Sequence, residues 1–187
     1  MKFINQKIGV FFWKLIIAFP VNFQNVLANI LFILLKNPNL KRNIFSRKNI
    51  DAAFPSLNEQ EKRKLLNENL KSMVHGIFDT GKAWFWNDSK INSLIKYEIF
   101  GLNKLIATKG NLLIFKHSHH LELDSRILGM HCELYGVERV HNSAFMQKVQ
   151  SMGRLKGLNA LADKNSPITF IKWLKKNKTV LYAIDQD

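Results

Sequence analysis

One cysteine, Cys132, stands among 187 residues. It can form no internal disulfide and has no partner for a cysteine-based zinc site, so it is expected as a small apolar residue packed in a helix. Acid is missing from the first fifty residues, which hold Lys2, Lys7, Lys14, Lys36, Lys41, Arg42, Arg47 and Lys48, that is +8 of the chain's +14. A long apolar run is missing too. A membrane span wants ~20 predominantly apolar residues, but Lys14, Pro20, Asn22, Gln24 and Asn25 split 8–35 into shorter blocks, 8–19 and 26–35. A kinked span or two interfacial helices around Pro20 both fit. No small-x-small pattern follows the first block, which argues against a cleaved signal peptide. No internal repeat, low-complexity segment or nucleic-acid module occurs. Basic charge interleaved with apolar sequence therefore reads as attraction to anionic lipid, at ~1 kcal/mol for each basic residue near the surface, with no nucleic acid as partner. The basic excess in 36–48 assigns that side to the cytoplasm.

What is present suits a packed protein. A hydrophobic fraction of 47% excludes intrinsic disorder and is enough for one α/β domain plus an anchor. The division expected is 1–48 as hydrophobic membrane anchor and basic juxtamembrane segment, and 49–187 as the catalytic domain. Ser56 as N-cap with Glu59 closing a capping box predicts a helix from about 57 to the aromatic cluster Trp84-Phe85-Trp86, with Leu66, Leu70, Met73, Val74, Ile77 and Phe78 at helical spacing. Shorter elements follow: a strand near 97–100, a helix over 103–108, a buried strand at 112–115, a helix over 121–131 and a strand over 136–140. Helices over 145–152 and 169–177 and a buried strand over 179–184 complete the series. This alternation predicts an α/β fold with a mainly parallel sheet flanked by helices. A buried strand normally feeds a covering element, so the stop at Asp187 predicts that the C-terminal part of the fold is missing.

The densest chemistry is His117-Ser118-His119-His120-Leu121-Glu122-Leu123-Asp124, directly after the 112–115 strand. Open α/β sheets hold their sites at that end of a strand. His117 and Glu122 form a His-x4-Glu pair, in which a carboxylate at the start of the next helix can hold an imidazole at the strand end; His119 and Asp124 form an overlapping His-x4-Asp pair. A metal-dependent hydrolase could use the same side chains. The cluster lacks the His-Glu-x-x-His pattern, however, and a chelator would separate that reading from one needing no metal. A lipid-binding module without catalysis is a third reading, under which replacing His117 changes nothing.

An ordered set of segments resembles the lysophospholipid-type acyltransferases, and within them the late acyltransferases of lipid A assembly that add lauroyl or myristoyl chains. The set comprises the hydrophobic N-terminus with its basic residues, Asn49-Ile50-Asp51-Ala52-Ala53-Phe54-Pro55 before a long helix, the Trp-containing segment, and His117-x4-Glu122 flanked by Leu121 and Leu123 and followed by Arg126. Arg139-Val140-His141-Asn142 is similar to the family's Arg-x-x-Asn element, Gly153-Arg154 to its Gly-Arg element, and Asp185-Gln186-Asp187 to its Asp-Gln-Asp strand end. The resemblance implies a bacterial inner-membrane enzyme with its catalytic domain on the cytoplasmic side, acyl carrier protein as donor and partner, a lipid A precursor or related glycerolipid as acceptor, and no cofactor or metal.

The residues suit that chemistry. A hydroxyl is a poor nucleophile at neutral pH, and a His of ordinary pKa near ~6.5 is basic enough to take its proton as it attacks a thioester. Glu122 would fix the tautomer and stabilise the imidazolium, as the acid does in a Ser-His-Asp triad. Arg139 and Arg154 are candidates to bind phosphate through the guanidinium fork, with Asn142 beside them. Asp185 could orient an arginine or close the site.

Overall fold

The computed structural model describes residues 2–183; Asp185, with the rest of its strand-end motif, lies outside the described residues. The chain forms two units, Ala18–Phe78 on one side and Met1–Ile17 with Asp79–Asp187 on the other.

The apolar N-terminus breaks where Pro20 predicts. Helix α1 covers Lys2–Ala18 and α2 covers Val21–Leu35, with Pro20 just ahead of α2, where its missing N–H costs nothing. Among the described residues no helix is long and apolar enough to cross a membrane. The anchor expected in this region thus has no spanning helix to support it among the described residues, since Pro20 and its polar neighbours divide the apolar sequence into two shorter helices.

In the unit Ala18–Phe78, the buried Asn43 of α3 (Lys41–Ala53) donates from Nδ2 to the carbonyls of Leu35 and Asn37, both at 2.8 Å, and so ties the end of α2 to α3. Helix α4, Glu59–Phe85, buries Leu70, Met73, Val74 and Phe78. Its capping box lies two residues beyond the one predicted. The Asn58 side chain accepts from the Glu61 N–H at 2.9 Å, and the Glu61 carboxylate accepts from the Asn58 N–H at 2.8 Å. Ser56 stands in the turn before the helix, and Glu59 is engaged instead by Arg47, whose Nη2 donates to its carboxylate at 2.6 and 2.8 Å.

The other unit holds the sheet. Strands β1 (Leu112–Phe115), β2 (Leu134–Glu138), β3 (Ala160–Asp163) and β4 (Thr179–Ala183) pair in the order β1-β4-β2-β3, all parallel. Helices α5 (Asp88–Leu94), α6 (Leu102–Ala107), α7 (Leu121–Gly129), α8 (Ala144–Arg154) and α9 (Pro167–Lys175) precede and connect them. Leu134, Leu158 and Leu181 form the buried centre, with Leu113, Phe115, Leu128, Cys132 and Leu161 packed against it. Cys132 follows α7 as a part-buried packing residue, and burial pushes its thiol pKa up.

Three local expectations shift. Residues 97–100 form no strand; the Tyr97 hydroxyl instead donates to Asn92 and meets His131 Nε2. β2 begins two residues before its predicted start, because Leu134 is fully buried in the core whereas Val140 lies exposed beyond the strand. β3 was not expected, since Ala-Leu-Ala-Asp carries little intrinsic strand preference and is recruited by pairing with Tyr135–Glu138.

Candidate functional site

Because β1, β4 and β2 are adjacent and parallel, their C-terminal ends share one edge of the sheet. A cavity of about 460 Å³ opens there, and its lining includes His117 after β1, Arg139, His141 and Asn142 after β2, Arg154 at the end of α8, and Lys164 after β3. Four residues singled out in the sequence, His117, Arg139, Asn142 and Arg154, thus come together from three separate segments.

Arg154 joins two acids. Its Nε donates to Glu122 at 3.0 Å and its Nη1 to Glu138 at 2.8 Å, and Nη2 also pairs with Glu122. Burial opposes the arginine's charge, but Glu122 and Glu138 outweigh it and hold the Arg154 pKa above its ordinary value. Glu122 also accepts from Trp84 Nε1 at 2.9 Å. Glu138, the last residue of β2, is 8% exposed and is further bound by the side chains of Gln147, Gln150 and Ser151 on α8. The carboxylate that opens α7 is therefore fixed in place by α4 and α8.

Gly153 makes this approach possible. A Cβ there would lie 2.3 Å from Cγ of Trp84, so any larger residue would push α8 away from the indole and carry Arg154 off Glu122. The Gly153-Arg154 pair noticed in the sequence is one device: the glycine admits the helix and the arginine holds the acid.

A second charged group flanks the start of α7. His120, the residue just before the helix, sets Nδ1 2.7 Å from Asp79 Oδ2, and Lys82 donates to the other oxygen of Asp79 at 2.7 Å. Asp79 lies 41 residues earlier in the chain, so no local spacing could have revealed it. Arg126, buried on α7, donates from Nη1 to the carbonyl of Lys156 at 2.6 Å and pairs with Asp88 at the start of α5. Among the described residues, no three His, Cys, Asp or Glu side chains converge to hold a metal ion.

The family model for bacterial lipid A biosynthesis acyltransferase matches residues 2–187. The chain belongs to this family. It is 33% identical over 96% of its length to a lipid A biosynthesis acyltransferase of Haemophilus influenzae, covering 58% of that relative. It is 32% identical to the lipid A biosynthesis palmitoleoyltransferase of Escherichia coli over 79% of this chain and 49% of the relative. Against the lipid A biosynthesis lauroyltransferase of the same organism it is 34% identical over 75% of this chain and 46% of the relative. The chain thus spans about half the length of the curated relatives it matches.

Within this member of the family, the sequence did not single out Glu138, Trp84, Asp79, His141 or Lys164 as site residues. Glu138 lies inside an ordinary strand sequence and Trp84 in an aromatic cluster that reads equally well as core. His141 could have been found, since it stands between Arg139 and Asn142.

Proposed function

We propose that the chain transfers a fatty acyl group from acyl carrier protein to a hydroxyl of a lipid A precursor. The observation that carries this reading is the convergence of His117, Arg139, Asn142 and Arg154 on one cavity at the strand ends, in a member of the lipid A acyltransferase family. In this mechanism His117 takes the acceptor hydroxyl's proton as the oxygen attacks the thioester carbonyl. The tetrahedral intermediate collapses, and the departing carrier thiolate receives that proton from the imidazolium. No covalent acyl-enzyme forms, and neither metal nor cofactor takes part. Glu122, held by Arg154 and Trp84, supplies the negative charge that favours the imidazolium. Arg154, already bound to two carboxylates, acts chiefly through Glu122, while Arg139, Asn142 and Lys164 receive phosphate on the acceptor or the carrier's phosphopantetheine. Asp185, which lies outside the described residues, enters this reading only through its sequence motif, as a residue to orient an arginine or close the site.

The reaction takes place at the cytoplasmic face of the bacterial inner membrane, with α1 and α2 lying in the interface. Helix α1 exposes Ile4, Ile8, Phe11, Phe12 and Leu15 as one stripe, and α2 exposes Phe23, Val26, Ile30, Ile33 and Leu34 as another. Neither helix is long and apolar enough to span, but both carry apolar stripes suited to the headgroup boundary.

Transfer of labelled acyl groups from acyl carrier protein to lipid A precursor, in membranes carrying the intact gene product or His117→Ala, tests the reaction. Transfer by the unaltered protein, its loss in the variant at equal membrane abundance and its persistence in chelator are expected. Transfer that survives His117→Ala removes the base, and transfer abolished by chelator favours the metal-hydrolase chemistry.

A further inference from the structure

A second, larger cavity of about 720 Å³ lies wholly within the unit Ala18–Phe78 and belongs to none of the chemistry above. Its lining includes Lys36 after α2, Ile44, Arg47 and Lys48 on α3, and Arg63 and Leu66 on α4. Arg47 is already balanced by Asp51 and Glu59. Among the described residues, no carboxylate pairs with Lys36, Lys48 or Arg63, and all three side chains are exposed. Three helices thus surround a groove with a net surplus of positive charge and an apolar element supplied by Ile44 and Leu66.

We infer that this groove binds the phosphate headgroup of an anionic phospholipid. The charge asks for an anion. Its position says which kind: Lys36 immediately follows α2, whose exposed stripe of Phe23, Val26, Ile30, Ile33 and Leu34 runs toward that end of the helix. A helix lying in the interface by that stripe sets the cations at its C-terminal end at headgroup depth, where basic side chains meet phosphate. Ile44 and Leu66 offer apolar contact to the glycerol and first methylenes of the same lipid. The inference rests on the interfacial attachment proposed above, and concerns a lipid that is bound and not acylated.

Binding of the full chain to neutral phosphatidylcholine vesicles and to vesicles rich in phosphatidylglycerol separates the two claims, since the neutral vesicles read the apolar attachment and the anionic increment reads the groove. In Lys48→Gln/Arg63→Gln, neutral binding is unchanged and binding to the anionic vesicles falls about thirtyfold, the effect of removing two surface cations. The control Lys64→Gln/Lys71→Gln, which removes the same charge from exposed positions on α4 outside the groove, keeps the increment. The inference is overturned if the groove variant retains the anionic increment, or if the control loses as much, which would make the attraction diffuse. Unchanged vesicle binding with lost affinity for purified acyl carrier protein would overturn it in favour of an acidic protein. Absence of neutral binding in the unaltered protein removes the interfacial reading, and the same pair of variants on anionic vesicles then decides the groove alone.

Discussion

Arg154 shows how far one side chain can determine the site. Its guanidinium stands between Glu122 and Glu138, whose side chains are 16% and 6% exposed. Arg154→Ala leaves two largely buried acids facing each other without their cation, a change that costs about 3–5 kcal/mol in unfolding free energy. Urea denaturation checks this, and acyl transfer is expected to fall with it. Arg154→Lys should recover part of the stability but little of the activity, because an ammonium is a point charge that cannot bind both carboxylates in the guanidinium's forked geometry. A stability loss close to zero for the alanine variant would mean that the acids are solvated and the network is not what holds Glu122. The sequence pointed to Glu122 by its spacing to His117 and to Arg154 by the Gly153-Arg154 pair, but not to the network that joins them. Trp84, Arg154 and the second acid that Arg154 binds, Glu138, come from three other elements, and nothing local links them. At the opposite end of the sheet, Lys178 ahead of β4 binds Glu133 ahead of β2 at 2.9 Å. The lysine's hydrogen bond, aided by Tyr135, lowers the Glu133 pKa below 4.5, and Glu133 in turn raises that of Lys178 above 10.5. A lowered carboxylate pKa gives stability that is complete above 4.5 and is lost as pH falls through the folded value; a raised lysine pKa gives stability that is complete below 10.5 and is lost as pH rises through its folded value. Lys178→Met should therefore be slightly less stable than the unaltered chain at pH 7 in low salt, by a gap that is smaller at pH 3, below the ordinary carboxylate value. Thermal melts at the two pH values measure the difference, and an equal gap at both would exclude the ion pair as its cause.

At the scale of elements, apolar patterning located most helices and the two most apolar strands, and the cap of α4 and the strand β3 were the least legible parts. The bounds predicted for β1 match the observed strand, because Leu112–Phe115 is a compact apolar run after Gly110, whose φ of 69° favours glycine, but β1 is the sheet's edge strand and leaves Leu112 and Ile114 exposed, where a buried strand was expected. The start of α4 was displaced because two adjacent signals competed. Ser56 with Glu59 and Asn58 with Glu61 both satisfy the capping-box spacing, and the choice fell to Arg47, twelve residues before Glu59, which draws that acid away. Asn58→Ala should accordingly cost about 1 kcal/mol and Ser56→Ala close to nothing. Denaturant midpoints of the two variants give the comparison directly, and the reverse order would restore Ser56 as the cap. β3 was invisible for the complementary reason: its residues become a strand only because β2 offers an edge to pair with.

For the molecule as a whole, hydropathy cannot tell which face of an apolar helix meets protein and which meets lipid. Helix α1 does both. Ile17 is fully buried, its carbonyl accepts from Trp86 Nε1 at 2.8 Å, and Trp13 meets Trp84 and Phe85 edge-on. At the other end of the helix, Gln6 accepts from the Ser143 hydroxyl at 2.8 Å. Those contacts reach the aromatic cluster that also supplies Trp84 to Glu122, so the first helix braces the Glu122 carboxylate from across the sequence. The stripe of Ile4, Ile8, Phe11, Phe12 and Leu15 remains exposed. The two faces should separate under mutation. Ile17→Ala is expected to lower unfolding free energy by about 2–5 kcal/mol, while leaving the exposed stripe's affinity for neutral vesicles intact under conditions where the chain stays folded. Phe11→Ser/Phe12→Ser should do the opposite, with unfolding changed by no more than about 0.5 kcal/mol per site and vesicle binding sharply reduced. If the exposed-face variant instead unfolds the protein, the stripe is covered by protein and the interfacial attachment fails; if Ile17→Ala is silent in unfolding, α1 does not brace the Trp84–Glu122 contact, and its role reduces to attachment alone.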